Sequence, residues 1–247
     1  MIDAIGRFRP ISLEEVTAGT ALQARVERKY IASAEQAAEL LERLGDSHRA
    51  LDIGGLREFA YRTTYYDTPD LLCLREHLQG RRRRFKCRRR EYVDTGGAFL
   101  ELKLRGRRGR TVKHGLECRG RPGLDEEQRA FVRETLLRGY GRAIPVEAFA
   151  PSLAIDVRRM TLASDVAEER VTLDVAVQMG GWRLGDGLVI VETKTLRGPG
   201  AADLALRRLG LRPQRCSKYC IGMMLHHSPR RGSALRPAAR RFVAAAA

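Results

Sequence analysis

The sequence is poor in aromatic residues, paired cysteines and long apolar runs, and each shortage excludes a class of protein. Aromatic residues make up only 6% of the 247 residues, which argues against a binder of single-stranded nucleic acid, since such proteins stack bases on aromatic side chains. The five cysteines form no CxxC pair, so neither a disulfide framework nor a zinc site is indicated. No stretch approaches the ~20 apolar residues of a membrane helix, and the N-terminus has no signal-peptide core. We therefore expect a soluble, cytoplasmic protein.

Basic residues, in contrast, are abundant. Lys and Arg number 46 against 30 Asp and Glu, which gives a formal net charge of +16. Such an excess attracts polyanions such as nucleic acid, anionic membrane, nucleotide or polyphosphate. Charge alone does not choose among these partners, so the positions of the basic residues have to decide.

Short segments with alternating polar and apolar residues dominate the chain, and we predict only three helices. The first begins at a Ser33 cap, with Gln36 at the capping-box position, and stops at Gly45. The other two cover residues 125–137 and 201–209. Many strands with few helices predict an antiparallel barrel or sandwich with helices packed outside.

The length of the chain suits one folded domain with its own core. We place this domain at residues 24–227, after an N-terminal extension of residues 1–23. Residues 228–247 mix Arg, Pro, Gly and Ala without an apolar period. This composition predicts a disordered basic tail.

Alternate residues of a strand point to opposite faces, and several predicted faces in this chain are strongly charged. One face of the segment 82–92 carries Arg82, Arg84, Lys86, Arg88, Arg90 and Tyr92. A Glu and a Lys two residues apart recur three times, as Glu27/Lys29, Glu101/Lys103 and Glu192/Lys194. In the segment 171–178, an apolar face of Val171, Leu173, Val175 and Val177 opposes a polar face of Thr172, Asp174, Ala176 and Gln178.

The wholly basic face is the informative one. A solvated strand face usually mixes uncharged polar residues with its charges, and a single charged strand is readily explained in that way. Several such strands together favour charged faces that point into a closed barrel, where an anion has to offset their repulsion. We therefore predict a lumen that holds a chain of phosphates. Its carboxylates would hold the divalent cation that phosphoryl transfer needs.

Six short motifs follow one another in the chain. They are RVERKY (25–30), YYDTPDL (65–71), RFKCR (84–88), FLELK (99–103), VETK (191–194) and CSKY (216–219). In this order they resemble the VTC (vacuolar transporter chaperone) domain of the triphosphate tunnel metalloenzymes, which are relatives of the CYTH proteins. The resemblance covers roughly residues 24–225, nearly all of the predicted domain.

This resemblance implies an α+β fold, in which an antiparallel eight-stranded β-barrel, the triphosphate tunnel, has helices packed outside. For the VTC branch it implies a polyphosphate polymerase that moves the γ-phosphate of ATP onto a polyphosphate chain. The implied cofactor is a divalent metal, Mn²⁺ or Mg²⁺. Two alternatives stay open: a tripolyphosphatase or nucleoside triphosphatase on the same fold, and a non-catalytic polyphosphate- or polyanion-binding module.

The resemblance also assigns individual residues. The implied phosphate-binding residues are Lys29, Arg84, Lys86, Arg88, Lys103, Lys113, Arg159, Arg170, Lys194 and Lys218. The implied catalytic residues are Lys29, Arg84, Lys86, Glu192 and Lys218. Glu192 is the implied metal ligand, assisted by Glu27 and Glu101, and Asp174 is a further candidate.

The sequence departs from the family pattern at two positions. Arg25 stands where the CYTH signature ExExK has its first glutamate, which favours the VTC branch. Val157 stands where the family usually has a Tyr, so either Arg158 or Arg159 faces the lumen. His77 has no partnered Ser or Cys, and we interpret it as a surface or core residue.

Overall fold

The computed structural model describes residues 2–18, 26–106, 111–120, 122–227 and 232–245. Its strands are β1 (Arg9–Ile11), β2 (Val26–Ser33), β3 (His48–Leu51), β4 (Glu58–Asp67), β5 (Phe85–Tyr92), β6 (Ala98–Arg105), β7 (Thr111–Glu117), β8 (Ala150–Ser164), β9 (Glu169–Met179), β10 (Trp182–Leu184), β11 (Leu188–Thr195) and β12 (Phe242–Ala244). Its α-helices are α1 (Ile2–Gly6), α2 (Leu13–Ala18), α3 (Ala34–Leu44), α4 (Leu72–Leu78), α5 (Glu126–Tyr140), α6 (Ala201–Arg208), α7 (Lys218–His227) and α8 (Arg236–Ala239).

The long strands form one antiparallel sheet. Neighbouring strands pair in the order β7-β6-β5-β4-β8-β9-β11-β2, and each of these pairs is antiparallel. This confirms the predicted eight antiparallel strands with helices packed on them. Among the described residues, β2 and β7 do not pair, so no hydrogen-bonded ladder closes the barrel. The sheet nevertheless wraps around a lumen, since Glu27 on β2 and Lys103 on β6 line the same cavity.

The three predicted helices are present, and five other α-helices of the described residues, α1, α2, α4, α7 and α8, were not predicted. Ser33 and Gln36 form the predicted capping box of α3, and Leu40, Leu41 and Leu44 are buried beneath it. The helices α5 and α6 lie within a few residues of their predicted bounds. Neither α4 nor α7 was predicted, because α4 is short and α7 is apolar around most of its circumference.

Helix α7 packs closely against the inside of the sheet. Gly222 makes this approach possible, because a Cβ atom there would lie 2.5 Å from the Cδ2 atom of Leu153. This packing places Ser217 and Lys218, at the beginning of α7, beside the lumen.

A bulge in β9 changes which side chains share a face. The register between β8 and β9 shifts between Asp156 and Arg158, and Ala176 adopts a φ of 49°. As a result Val171 and Leu173 pack in the core beneath α3, whereas Val177 packs in the core that contains α7. The predicted single apolar face of the segment 171–178 is therefore wrong beyond Ala176.

The C-terminal segment is ordered over residues 232–245, where the prediction of a disordered tail is wrong. Strand β12 pairs with β10, and Phe242 is buried. The apolar pair Phe242 and Val243 supplies the strand that the Arg- and Ala-rich composition concealed. Residues 228–231, 246 and 247 lie outside the described residues.

Candidate active site

The charged strand faces point toward one another and enclose a cavity of about 260 Å³. A second cavity of about 460 Å³ adjoins the first. Both cavities are lined by Glu27, Arg88, Arg90, Lys103, Thr111, Arg159 and Lys194. These shared residues make the two cavities one passage, which we call the tunnel. Its near end contains Arg84, Lys86 and Lys218, and its far end contains Lys113 and Arg170.

All ten residues predicted to bind phosphate line the tunnel. Those of the first cavity are Lys29, Arg84, Lys86, Arg88, Lys103, Arg159, Lys194 and Lys218, and those of the second alone are Lys113 and Arg170. Arg159 faces the lumen, whereas Arg158 is exposed and pairs with Glu58. Arg25 lies outside the described residues. That these side chains bind phosphate stays a prediction.

Two of the Glu-x-Lys pairs lie opposite each other on β2 and β11. The register places Lys29 opposite Glu192 and Glu27 opposite Lys194. The Nζ atom of Lys194 lies 2.8 Å from Oε1 of Glu192, and Nζ of Lys29 lies 3.3 Å from Oε2 of the same residue. Lys29 also contacts Glu27. The two strands thus bring two carboxylates and two ammonium groups to one place in the lumen.

Both carboxylates of this group stay ionised. Burial favours the neutral acid of Glu192, but Lys194 and Lys29 outweigh it and hold the pKa of Glu192 well below its usual value. Glu192 and burial act to raise the pKa of Glu27, yet Lys29, Lys103 and Lys194 together lower it. In the described part of the chain, no three His, Cys, Asp or Glu residues form a metal-binding group. Mg²⁺ commonly uses one or two carboxylates together with substrate phosphates, and Glu27 with Glu192 fits that pattern.

Glu101 is placed differently from these two carboxylates. Its Oε2 atom accepts a hydrogen bond of 2.7 Å from Nε of Arg88, and its Oε1 atom accepts one of 3.0 Å from Lys113. Burial would raise the pKa of Glu101, but Arg88 and its other basic neighbours lower it far below its usual value. These contacts hold Arg88 and Lys113 in place, and the assistance of Glu101 in metal binding stays a prediction.

A row of three lysines crosses the sheet on the lumen side. Lys86 on β5 lies opposite Lys103 on β6, which lies opposite Lys113 on β7. Like charges directly opposite each other are destabilising. The Arg88 guanidinium and burial lower the pKa of Lys103 well below its usual value. Lys103 makes no ion pair with an Asp or Glu of the described chain.

The lowered pKa of Lys103 predicts that the tunnel takes up protons when it binds a polyanion. An anion beside the ammonium raises the pKa of Lys103, so the complex binds more protons than the free protein. The affinity for the polyanion is therefore highest at a pH below the pKa that Lys103 has in the free protein. It falls as the pH rises through the higher pKa that Lys103 has in the complex. Calorimetry of tripolyphosphate binding in buffers of different ionisation enthalpy measures this uptake. We expect Lys103→Met to reduce it, and equal uptake in both proteins would rule out Lys103 as its source.

Asp174 holds two tunnel cations from different elements. It is fully buried and accepts hydrogen bonds from Arg159 Nε at 2.5 Å and Arg159 Nη2 at 2.8 Å. It also accepts one from Lys218 at the beginning of α7. Burial acts to raise the pKa of Asp174, but Arg159 and Lys218 lower it. These contacts favour a role in orienting cations over the predicted metal assistance.

The structure adds tunnel residues that sequence reasoning did not select. Arg90 belongs to the basic face of β5, so the alternation itself could have identified it. Ser217 accepts a hydrogen bond of 2.8 Å from Lys86. His77 lines the near end through the unpredicted helix α4, which corrects its interpretation as a surface or core residue. Burial and Lys86 lower the pKa of His77 to about 3, so its ring is neutral.

The first cavity is lined by ten Lys and Arg side chains against two carboxylates, an excess of positive charge that attracts polyanions. The chain belongs to the VTC domain family, whose model matches residues 24–227. A search of curated proteins found no match. None of the helices in the described ranges is long and apolar enough to cross a bilayer.

Solved structures similar to this chain are distant in sequence. The PH1819 protein from Pyrococcus horikoshii OT3 is 16% identical, with 83% of this chain and 99% of that chain covered and a TM-score of 0.48. HpAC1 from Hippeastrum, named as an adenylyl cyclase and described with a dominant triphosphatase activity, is 17% identical. That likeness covers 80% of this chain and 94% of HpAC1 with a TM-score of 0.45. The family assignment rests on the match over residues 24–227.

Proposed function

We propose that this protein is a phosphotransferase that moves the γ-phosphate of ATP onto an inorganic polyphosphate chain held in the tunnel. The row of Lys86, Lys103 and Lys113 is the observation that carries the proposal. Lys113 pairs with Glu101, but Lys86 and Lys103 lie side by side without an Asp or Glu partner among the described residues, and one small anion does not reach from Lys86 to Lys113. A linked series of phosphates along the tunnel offsets the whole row.

The tunnel residues would contribute alignment and charge. Phosphoryl transfer needs little covalent help from protein, and acceleration comes mainly from positioning and from cations placed before the reaction. Lys86 is held by Ser217, and both Arg159 and Lys218 are held by Asp174. Because these cations are already fixed, they need little reorganisation when charge shifts among the phosphate oxygens.

The near end would receive the nucleotide. Arg84, Lys86 and Lys218 lie together there, so the triphosphate of ATP would enter among them. Lys29 and Lys194 flank Glu192 in the same cavity. Glu192 and Glu27 would hold a divalent cation, Mn²⁺ or Mg²⁺, which when bound neutralises charge on the phosphate oxygens.

Product analysis tests this proposal. We expect purified protein incubated with ATP and Mn²⁺ to form chains that an exopolyphosphatase degrades, resolved on a polyacrylamide gel. Omission of the metal is the control, and it should stop the reaction. Release of orthophosphate without chains would instead identify a hydrolase, and binding of polyphosphate without any turnover would identify a binding module.

A further inference from the structure

A short helix of the N-terminal extension lies at the far end of the tunnel. Leu13, Val16 and Thr17 of α2 line the second cavity together with Lys113 and Arg170. Within the described residues, α2 contributes nothing to the lining of the first cavity. The two ends of the tunnel therefore differ, since cations line both ends and α2 lies only at the far end. Helix α2 also lies outside residues 24–227, so the family match does not account for it.

Several contacts fix α2 in this place. The side chain of Val16 is buried in an apolar cluster with Ile11, Leu51 and Phe59. The guanidinium of Arg170 donates a hydrogen bond to the backbone carbonyl of Val16. The carboxylate of Glu15 accepts hydrogen bonds of 2.9 Å from Arg49 and from the backbone N–H of Ser12. The helix is thus held by a buried side chain, by a backbone hydrogen bond and by the contacts of its first turn.

The groups that α2 presents to the tunnel do not bind phosphate. Leu13 and Val16 are apolar, and the carbonyl of Val16 occupies a donor that Arg170 would otherwise offer to an anion. Hydrogen bonds from Ser12 and Arg49 lower the pKa of Glu15 to about 2, so its carboxylate stays ionised at neutral pH. An approaching polyanion therefore meets the apolar side chains of α2 beside Lys113 and Arg170 at this end.

We propose that α2 closes the far end of the tunnel, so that a phosphate chain enters only at the near end and only a limited number of its phosphates are taken in. This inference rests on the proposed binding of phosphate chains and adds a determinant of chain length. Val16 and Glu15 are positioning residues for α2 in this scheme, since Val16 packs in the apolar cluster and Glu15 pairs with Arg49.

The affinity for long chains relative to short ones tests this proposal. Every linear chain has two ends, so a tunnel with one entrance binds tripolyphosphate and long-chain polyphosphate with similar Kd values per chain. A tunnel open at both ends can be threaded anywhere along a long chain, which raises the affinity with length. Val16→Gly and Glu15→Ala loosen α2 through different contacts. Glu14→Ala is the matched control, because Glu14 is exposed on the same helix and has no ion pair within the described residues.

Binding is measured at equilibrium without metal, and thermal unfolding verifies that each variant is folded. We expect the Kd values of the two ligands to agree within about threefold in the wild type and in Glu14→Ala. In Val16→Gly and Glu15→Ala we expect long chains to bind about tenfold more tightly while tripolyphosphate is unaffected. The proposal would be overturned if the wild type already bound long chains tenfold more tightly than tripolyphosphate. It would also be overturned if the ratio of the two Kd values were unchanged in both folded variants. Failure of the wild type to bind either ligand would refute the proposed function itself, and the role of α2 with it.

Discussion

Replacing Glu192 with Gln is expected to lower phosphoryl transfer by about 10²–10³-fold, the loss that accompanies removal of one group acting on transition-state charge. Glu192 lies between Lys29 and Lys194 and is one of the two ionised carboxylates that line the first cavity. The substitution keeps the size of the side chain but removes its charge, so the proposed divalent cation would lose its main ligand. Turnover of ATP with Mn²⁺ measures the effect.

The same substitution should leave phosphate binding intact. Without metal, the loss of one negative charge makes the lumen more positive, so tripolyphosphate should bind Glu192→Gln as tightly as the wild type or more tightly. This separation of binding from turnover distinguishes a metal ligand from a residue that only maintains the fold. Glu91→Gln is the matched control, because Glu91 also lies on a strand but pairs with Arg89 away from the tunnel lining. Full turnover in Glu192→Gln would exclude the metal assignment.

The alternation of charges in the sequence predicted most of the tunnel because a lumen imposes strict geometry on strands. Side chains two residues apart on a regular strand share a face, so Lys86 and Arg88 had to point the same way. The strands with predicted inward charged faces include β2 and β11, whose register places each glutamate opposite a lysine. Where the strands are regular, the alternation was sufficient to identify the side chains that face the lumen.

The sequence did not predict features that depend on tertiary contacts. The bulge at Ala176 reverses the alternation of β9, and no turn residue marks it in the sequence. Helix α4 brings His77 to the tunnel only because the helix packs on β5. The roles of Asp174 and Glu101 also became visible only with their partners, since an isolated carboxylate in a sequence does not reveal whether a cation already occupies it.

This pairing of carboxylates with tunnel cations leads to a prediction for Arg88, which lines both cavities and donates to Glu101 and to the Tyr65 hydroxyl. Arg88→Met leaves Glu101 buried with Lys113 as its remaining partner, and such a broken buried pair costs about 3–5 kcal/mol in the free energy of unfolding. The loss of a charged donor to phosphate should also weaken tripolyphosphate binding by about 10–100-fold. Denaturant unfolding and equilibrium binding measure the two effects separately.

The double variant Arg88→Met/Glu101→Gln distinguishes these two effects of Arg88. Removing the unpaired charge of Glu101 should restore most of the lost stability, whereas phosphate affinity should stay low because the guanidinium is still absent.

The stability of these proteins should also depend on pH. In wild type the pKa of Glu101 is lowered, so its stabilising contribution is present above its unfolded-state pKa and is lost as the pH falls through its folded-state pKa. In Arg88→Met, the guanidinium no longer opposes the effect of burial, so the folded-state pKa of Glu101 is higher than in wild type. The difference in the free energy of unfolding between the variant and wild type should therefore narrow as the pH falls. Arg89→Met, on the opposite strand face, serves as the binding control and should keep full affinity whatever its stability. If the difference in the free energy of unfolding between Arg88→Met and wild type widened toward acid pH, this would contradict the view that Arg88 compensates the buried charge of Glu101.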